Sequence, residues 1–315
     1  MFIIYNKIMT NSQKKYKKSN IRRKKNLKLN KQSKYYTKKL RKLTRRINKL
    51  NGGRISKNKK YRLKGGDNDT YMDFLIKNYS TSREAMKLKN NNRHFIPLTE
   101  GRKIFTFADI HGDLELLERF LKIGKIITFK NPNIKLPKTN NEGIRDVTKM
   151  QEYFDNLRWN AGSNYVVQIG DQIDRSRDTD NHTSLDDEGS TFEIVYYLYK
   201  LNELAKEVNK NKGNVSSNYV FSLLGNHEIM NVQGDMNYVS KAEKRVFRER
   251  LRDLFDKTNN KSSNNEKESL RAFFYKPGNL MSNFMAAHYY SILQIGPYLF
   301  VHGGITEELF NTNDS

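Results

Sequence analysis

The sequence predicts an α/β fold. Short apolar runs of strand length alternate with longer amphipathic stretches of helical period. Four of the apolar runs end in the same kind of chemistry, an Asp, His or Asn beside a Gly. In open α/β sheets, ligands bind just beyond the carboxyl ends of the strands. The repetition therefore points to one edge where these side chains gather.

The elements follow in chain order. A short helix is predicted over residues 72–76, inside a polar lead-in that also holds the loop-like Asn90-Asn91-Asn92. Residues 104–107 form the first predicted strand, followed at once by Asp109, Ile110, His111, Gly112 and Asp113. Asp113 can cap a helix whose Leu114, Leu117, Phe120 and Leu121 make an apolar stripe, closed by Gly124. A second strand, 165–169, runs into Gly170, Asp171, Gln172, Ile173, Asp174 and Arg175. A second helix spans 192–208, with Phe192, Val195, Leu198 and Leu201 on one side. A third strand, 219–224, leads into Gly225-Asn226-His227-Glu228. A charged third helix covers 245–257, with Val246, Leu251 and Leu254 as its buried residues. An apolar stretch, 281–290, reads as a helix under the sheet, with His288 as a core or pocket-rim histidine. The fourth strand, 298–301, leads into His302-Gly303-Gly304. The connections over about 128–150, 176–190 and 257–268 are polar and predicted as loops.

Charge divides the chain. Of 315 residues, the first 66 hold 25 Lys or Arg and no Asp or Glu, while the rest is nearly neutral. The expected organisation is a disordered basic arm over 1–66, a lead-in over 67–100 and a folded body over 101–315. Such an arm suits a polyanion, either nucleic acid or an anionic membrane surface. It equally suits a solvated tail. Its Arg22-Arg23-Lys24-Lys25 run resembles a nuclear targeting signal. No run of 18 apolar residues is present, which excludes a membrane-spanning helix. The absence of Cys excludes disulfides and thiolate metal sites, and fits an intracellular, reducing compartment, cytoplasmic or nuclear.

Asp109, His111, Asp171, Asn226 and His302 offer oxygen and imidazole donors without sulfur, a set suited to Mn, Fe or Zn. Five donors exceed a closed structural zinc and suit two divalent ions that share a carboxylate. Two such ions can hold a bridging water and lower its pKa. Arg175 can fork onto phosphate oxygens. His227 stands where it can donate a proton, and Asp174 where it can orient that imidazole.

These four motifs together resemble the signature of the calcineurin-like metallophosphoesterases, in particular the phosphoprotein phosphatase branch. The longer piece Gly225-Asn226-His227-Glu228-Ile229-Met230-Asn231-Val232-Gln233-Gly234-Asp235 is similar to the bacterial-like, or Shewanella-like, phosphatases. The resemblance covers about residues 100–310. It implies a four-layer α/β/β/α sandwich. It assigns Asp109, His111 and Asp171 to a first metal, Asp171, Asn226 and His302 to a second, His227 with Asp174 to leaving-group protonation, and Arg175 to the phosphoryl group.

Two family features are missing. The resemblance implies a further His after the His-Gly-Gly strand and a downstream phosphate-gripping Arg, and neither occurs in residues 303–315. A remainder encoded elsewhere, a water or other residue in the vacant place, and lost catalysis each account for this. Ser176 also stands where many relatives have Gly. The leading expectation is a dinuclear phosphomonoesterase, acting on a phosphorylated protein or a small phosphoester by attack of a metal-bound hydroxide. A phosphodiesterase or nuclease on the same fold, and a decayed body displaying a polyanion-binding arm, are the alternatives.

Overall fold

The computed structural model describes residues 70–80, 95–176, 188–210, 216, 218–258 and 270–305, all within the unit Leu63–Ser315. The basic arm, Asn90 to Asn92, His94, His182, the Asp186-Asp187 pair and the last ten residues lie outside the described residues.

Among the described residues, four parallel strands form the central sheet in the order β2 (Ile104–Phe107), β5 (Tyr165–Gln168), β6 (Val220–Leu223), β7 (Tyr289–Tyr290). Both inner strands are buried throughout, as a parallel sheet covered on two faces requires. The register places Phe107 beside Gln168, and Gln168 beside Ser222. The carboxyl ends of β2, β5 and β6 are therefore level, and the segments that follow them start side by side. A second sheet runs β1 (Phe95–Ile96), β8 (Ile292–Ile295), β9 (Tyr298–Val301), with β8 and β9 antiparallel. A two-stranded ribbon pairs β3 (Ile127–Phe129) with β4 (Leu157–Trp159).

Eight helices are described. Helix α1 (Tyr71–Tyr79) opens on a capping box between Thr70 and Asp73 and buries Tyr71, Met72, Leu75, Ile76 and Tyr79. At about 1.5–3 kcal/mol for each large apolar side chain, that face firmly docks α1 on the core. Helix α2 (Leu114–Ile123) is capped by Asp113, whose side chain accepts from the Leu116 amide, and ends at Gly124. Then come α3 (Val147–Asn156), α4 (Thr191–Lys210), α5 (Asn226–Gln233), α6 (Lys241–Thr258), α7 (Leu270–Tyr275) and α8 (Leu280–His288). Helix α4 lies against β6 and β4, and α6 against α7.

The predicted strands reappear within a residue of their expected bounds. Three elements differ. The expected loop over 128–150 contains β3 and the start of α3, whose Met150, Tyr153 and Phe154 are buried despite a polar sequence. The stretch 281–290 is helical only to His288, and Tyr289-Tyr290 then pairs with β6 as an edge strand. Strand β9 belongs to the second sheet, so the expected edge is a seam between two sheets.

His288 does not face that seam. Its Nε2 lies 2.5 Å from Tyr79 Oη, and the rings of Tyr79, Tyr199 and Phe284 surround it. Burial lowers its pKa from 6.5 to about 4, with the Lys206 charge adding to the effect. As pH falls, the unfolded chain therefore takes up this proton first. Stability is complete above about pH 6.5 and declines by up to about 3 kcal/mol on the way to pH 4. Melting curves of wild type and His288→Gln across that range test this. The expected result is a steeper acid loss in the wild type, and parallel curves would reject it.

Candidate metal centre

The strand-end segments are held in uncommon backbone conformations. His111, Asp171 and Asp174 have φ of 42°, 54° and 72°, in the left-handed region that side chains with a Cβ rarely adopt. Each costs on the order of 1–3 kcal/mol and persists only where the surroundings over-determine it. Here they do. The Ile110 and His111 amides both donate to the Asp171 carbonyl at 3.0 Å, and the Gly112 amide donates to Gln172 at 2.8 Å. From the first turn of α5, the fully buried Glu228 carboxylate accepts from the amides of Gly225, Asp171 and Gln172 at 2.7, 2.9 and 2.9 Å. Burial raises this carboxyl to about 6, while the three amides pull it down. Two glycines allow the approach. A Cβ on Gly225 would lie 2.1 Å from Asp171 Oδ1, and one on Gly170 would lie 2.8 Å from His302 Nδ1.

All eight side chains expected at the site are brought to this seam. Asp171 is its centre. His302 Nε2 lies 3.3 Å from Asp171 Oδ2, and His111 Nε2 and His227 Nε2 each lie 4.0 Å from it. Asp109, on the exposed side, reaches His111 Nε2 at 4.0 Å. Two donor triads result, His111 with Asp171 and His227, and Asp109 with Asp171 and His302. Within each triad the donor atoms lie within 4.8 Å of one another, and Asp171 is common to both.

The donor chemistry fits cations. His302 Nδ1 lies 2.7 Å from the Ile169 carbonyl, an acceptor, so Nδ1 carries the ring proton. In the neutral ring, Nε2 then presents a lone pair to Asn226 Oδ1 at 3.0 Å and to Asp171 Oδ2 at 3.3 Å. Three acceptors thus converge, and a positive centre among them removes the repulsion. With a carbonyl fixing its far nitrogen, His302 has the arrangement common to metal-binding imidazoles.

Beside the donors is a second cluster. His227 Nδ1 lies 3.0 Å from Asp174 Oδ2, which also accepts from Asn231 Nδ2 at 2.7 Å. Tyr238 packs edge-on against the His227 ring, with centroids 5.0 Å apart. Arg175 Nη1 pairs with Asp113 Oδ2 at 2.7 Å. Asp113 therefore caps α2 with one oxygen and holds Arg175 with the other.

Sequence reasoning missed several contributors. Glu228 lies inside a recognised motif, yet its task of gathering three amides depends on chain segments far apart in sequence. Asn231 lies in the same motif with no role assigned to it, and Arg271 and Glu243 carry no local signature at all. Thr191 Oγ1 donates to Glu243 Oε1 at 2.9 Å, and Glu243 Oε2 accepts from the amides of Arg175 and Ser240.

Asp, His and Asn donors at strand ends between two sheets, flanked by helices, define a metallophosphoesterase of α/β architecture. The calcineurin-like phosphoesterase family model matches residues 102–315, and the chain belongs to that family. It is 26% identical over 179 residues to Shewanella-like protein phosphatase 2 of Arabidopsis thaliana, covering 55% of this chain and 32% of that protein. Over 175 residues it is 26% identical to Shewanella-like protein phosphatase 1 of Plasmodium berghei, covering 55% and 35%. The solved structure of the cold-active protein-tyrosine phosphatase of a psychrophile Shewanella sp. aligns with a TM-score of 0.43 at 20% identity, over 73% of this chain and 49% of that one. The chain spans about a third of the length of these curated relatives and about half of that structure. Membership of this family implies divalent metal ions, and the two triads offer donors for them.

Proposed function

We propose that the chain is a dinuclear phosphomonoesterase acting on phosphorylated protein side chains. The observation that carries this reading is the sharing of Asp171 between two donor triads. The family resemblance groups the donors differently from these triads: Asp109, His111 and Asp171 would hold one ion, and Asp171, Asn226 and His302 the other, with His227 kept for proton delivery. Ions there supply positive charge that draws electrons from phosphorus and makes water more acidic.

The chain's own groups do the rest. Arg175, braced by Asp113, forks onto phosphoryl oxygens and offsets the charge that grows on them. Asp174 accepts a hydrogen bond from His227 Nδ1–H and so holds the ring in place. In the doubly protonated ring, Nε2–H gives its proton to the ester oxygen as that oxygen's bond to phosphorus breaks, which leaves His227 neutral. The relatives' names support protein phosphate as the substrate class. The net charge of the basic segment supports a polyanion contact as an added part of the proposal.

Chelation followed by readdition of Mn, Fe or Zn tests the reading. We expect 4-nitrophenyl phosphate hydrolysis to disappear with chelator and return with metal. Bis(4-nitrophenyl) phosphate should be turned over far more slowly. Faster diester turnover would favour a phosphodiesterase. A full-length chain that retains fewer than two ions and hydrolyses neither ester would favour a non-catalytic binder.

A further inference from the structure

Arg271 is the largest fully buried side chain of the described residues, and nothing in the proposed reaction uses it. It arises from α7, remote in sequence from every motif. Its guanidinium is nonetheless engaged on every side. Nη2 donates to Asp174 Oδ1 at 2.9 Å, Nε to Asn231 Oδ1 at 2.8 Å, and Nη1 to Thr191 Oγ1 at 3.0 Å. Nη1 also lies 3.5 Å from Glu243 Oε1. The rings of Phe247 and Tyr275 lie 5.1 and 4.9 Å from its carbon centre.

The partners divide between two consecutive residues. Asp174 offers Oδ1 to Arg271 and Oδ2 to His227. Asn231, itself held by Arg271, donates to the same Oδ2 and to the His227 carbonyl. Glu243, on the far side of the guanidinium, accepts the backbone amide of Arg175. One rigid planar fork thus fixes the carboxylate behind the imidazole and, through Glu243, the turn that carries the phosphate-gripping arginine.

We propose that Arg271 is a positioning residue for leaving-group protonation, locking Asp174 so that its Oδ2 stays on His227 Nδ1. This rests on the phosphatase reading above. A lysine keeps the charge but loses the fork, so it can satisfy Asp174 or Asn231 but not both with the same geometry. Asp174 then swings, His227 loses its orientation, and proton delivery suffers. The loss falls on esters whose leaving oxygen needs the proton.

The test compares the full-length, Mn-supplied wild type with Arg271→Lys, Asp174→Asn and the double variant Arg271→Met/Glu243→Gln, which removes the cation together with one carboxylate. Each is assayed on 4-nitrophenyl phosphate, whose leaving group departs readily, and on phenyl phosphate, whose leaving group does not. Circular dichroism reports folding. Arg271→Lys is expected to lose less than about tenfold in kcat on the first ester and about a hundredfold on the second, with KM unchanged. Asp174→Asn should show the same bias. Equal losses on both esters, no loss, or variants that do not fold would each assign Arg271 to stability alone and overturn the proposal. A wild type inactive on both esters would instead fail the phosphatase reading, and the positioning role with it.

Discussion

Asp171→Asn is expected to strip the chain of its divalent ions and to lower kcat/KM on an aryl phosphate by about 10²–10³-fold or more. The reason is positional. Asp171 Oδ2 lies within 4.0 Å of three imidazole Nε2 atoms, and Oδ1 accepts the His227 amide at 3.0 Å. An asparagine can keep the bond to that amide through its own oxygen. Its NH₂ group then turns a donor toward His302 Nε2, where the aspartate offers an acceptor. The folded chain should therefore be no less stable than wild type without metal, since an acceptor clash disappears. Elemental analysis, aryl phosphate kinetics and metal-free melting curves measure the three effects. A variant that keeps two ions and its rate would reject Asp171 as the shared donor.

Gly225→Ala is expected to cost about 10²-fold in activity and about 1–3 kcal/mol in stability. The added Cβ would sit 2.1 Å from Asp171 Oδ1 and 2.4 Å from its amide nitrogen. Backbone must move, and the backbone that moves carries the central carboxylate. Gly234→Ala is the control. It strains a left-handed helix end with φ of 88°, yet its Cβ meets nothing within 4 Å. It should lose stability and keep its activity. Equal activity losses in the two variants would mean that general destabilisation, rather than displacement of Asp171, is responsible.

The framework was legible where residues declare their own conformation. The apolar runs of β2, β5, β6 and β9 and the Asp113 and Gly124 caps of α2 are local signals, and they carried through. Helix α5 was not predicted, because Gly225 offers no side chain to cap it and the Glu228 carboxylate does the capping from within the first turn. Two-residue strands such as β1 and β7 have no pattern to read, since their pairing partners define them. The donors of the site could be named because each adjoins a strand end. Arg271 could not, because its meaning comes from partners such as Asp174, Asn231 and Glu243, which reach it across the fold.

The attachment of His302 has a wider consequence. Its ring hangs from the second sheet but hydrogen-bonds the Ile169 carbonyl and faces Asp171, both belonging to the first. A cation held there acts as a rivet through two plates. Loading it should stiffen the molecule as a whole, and its loss should let the plates slip, so resistance to heat and protease would track ion concentration as closely as turnover does.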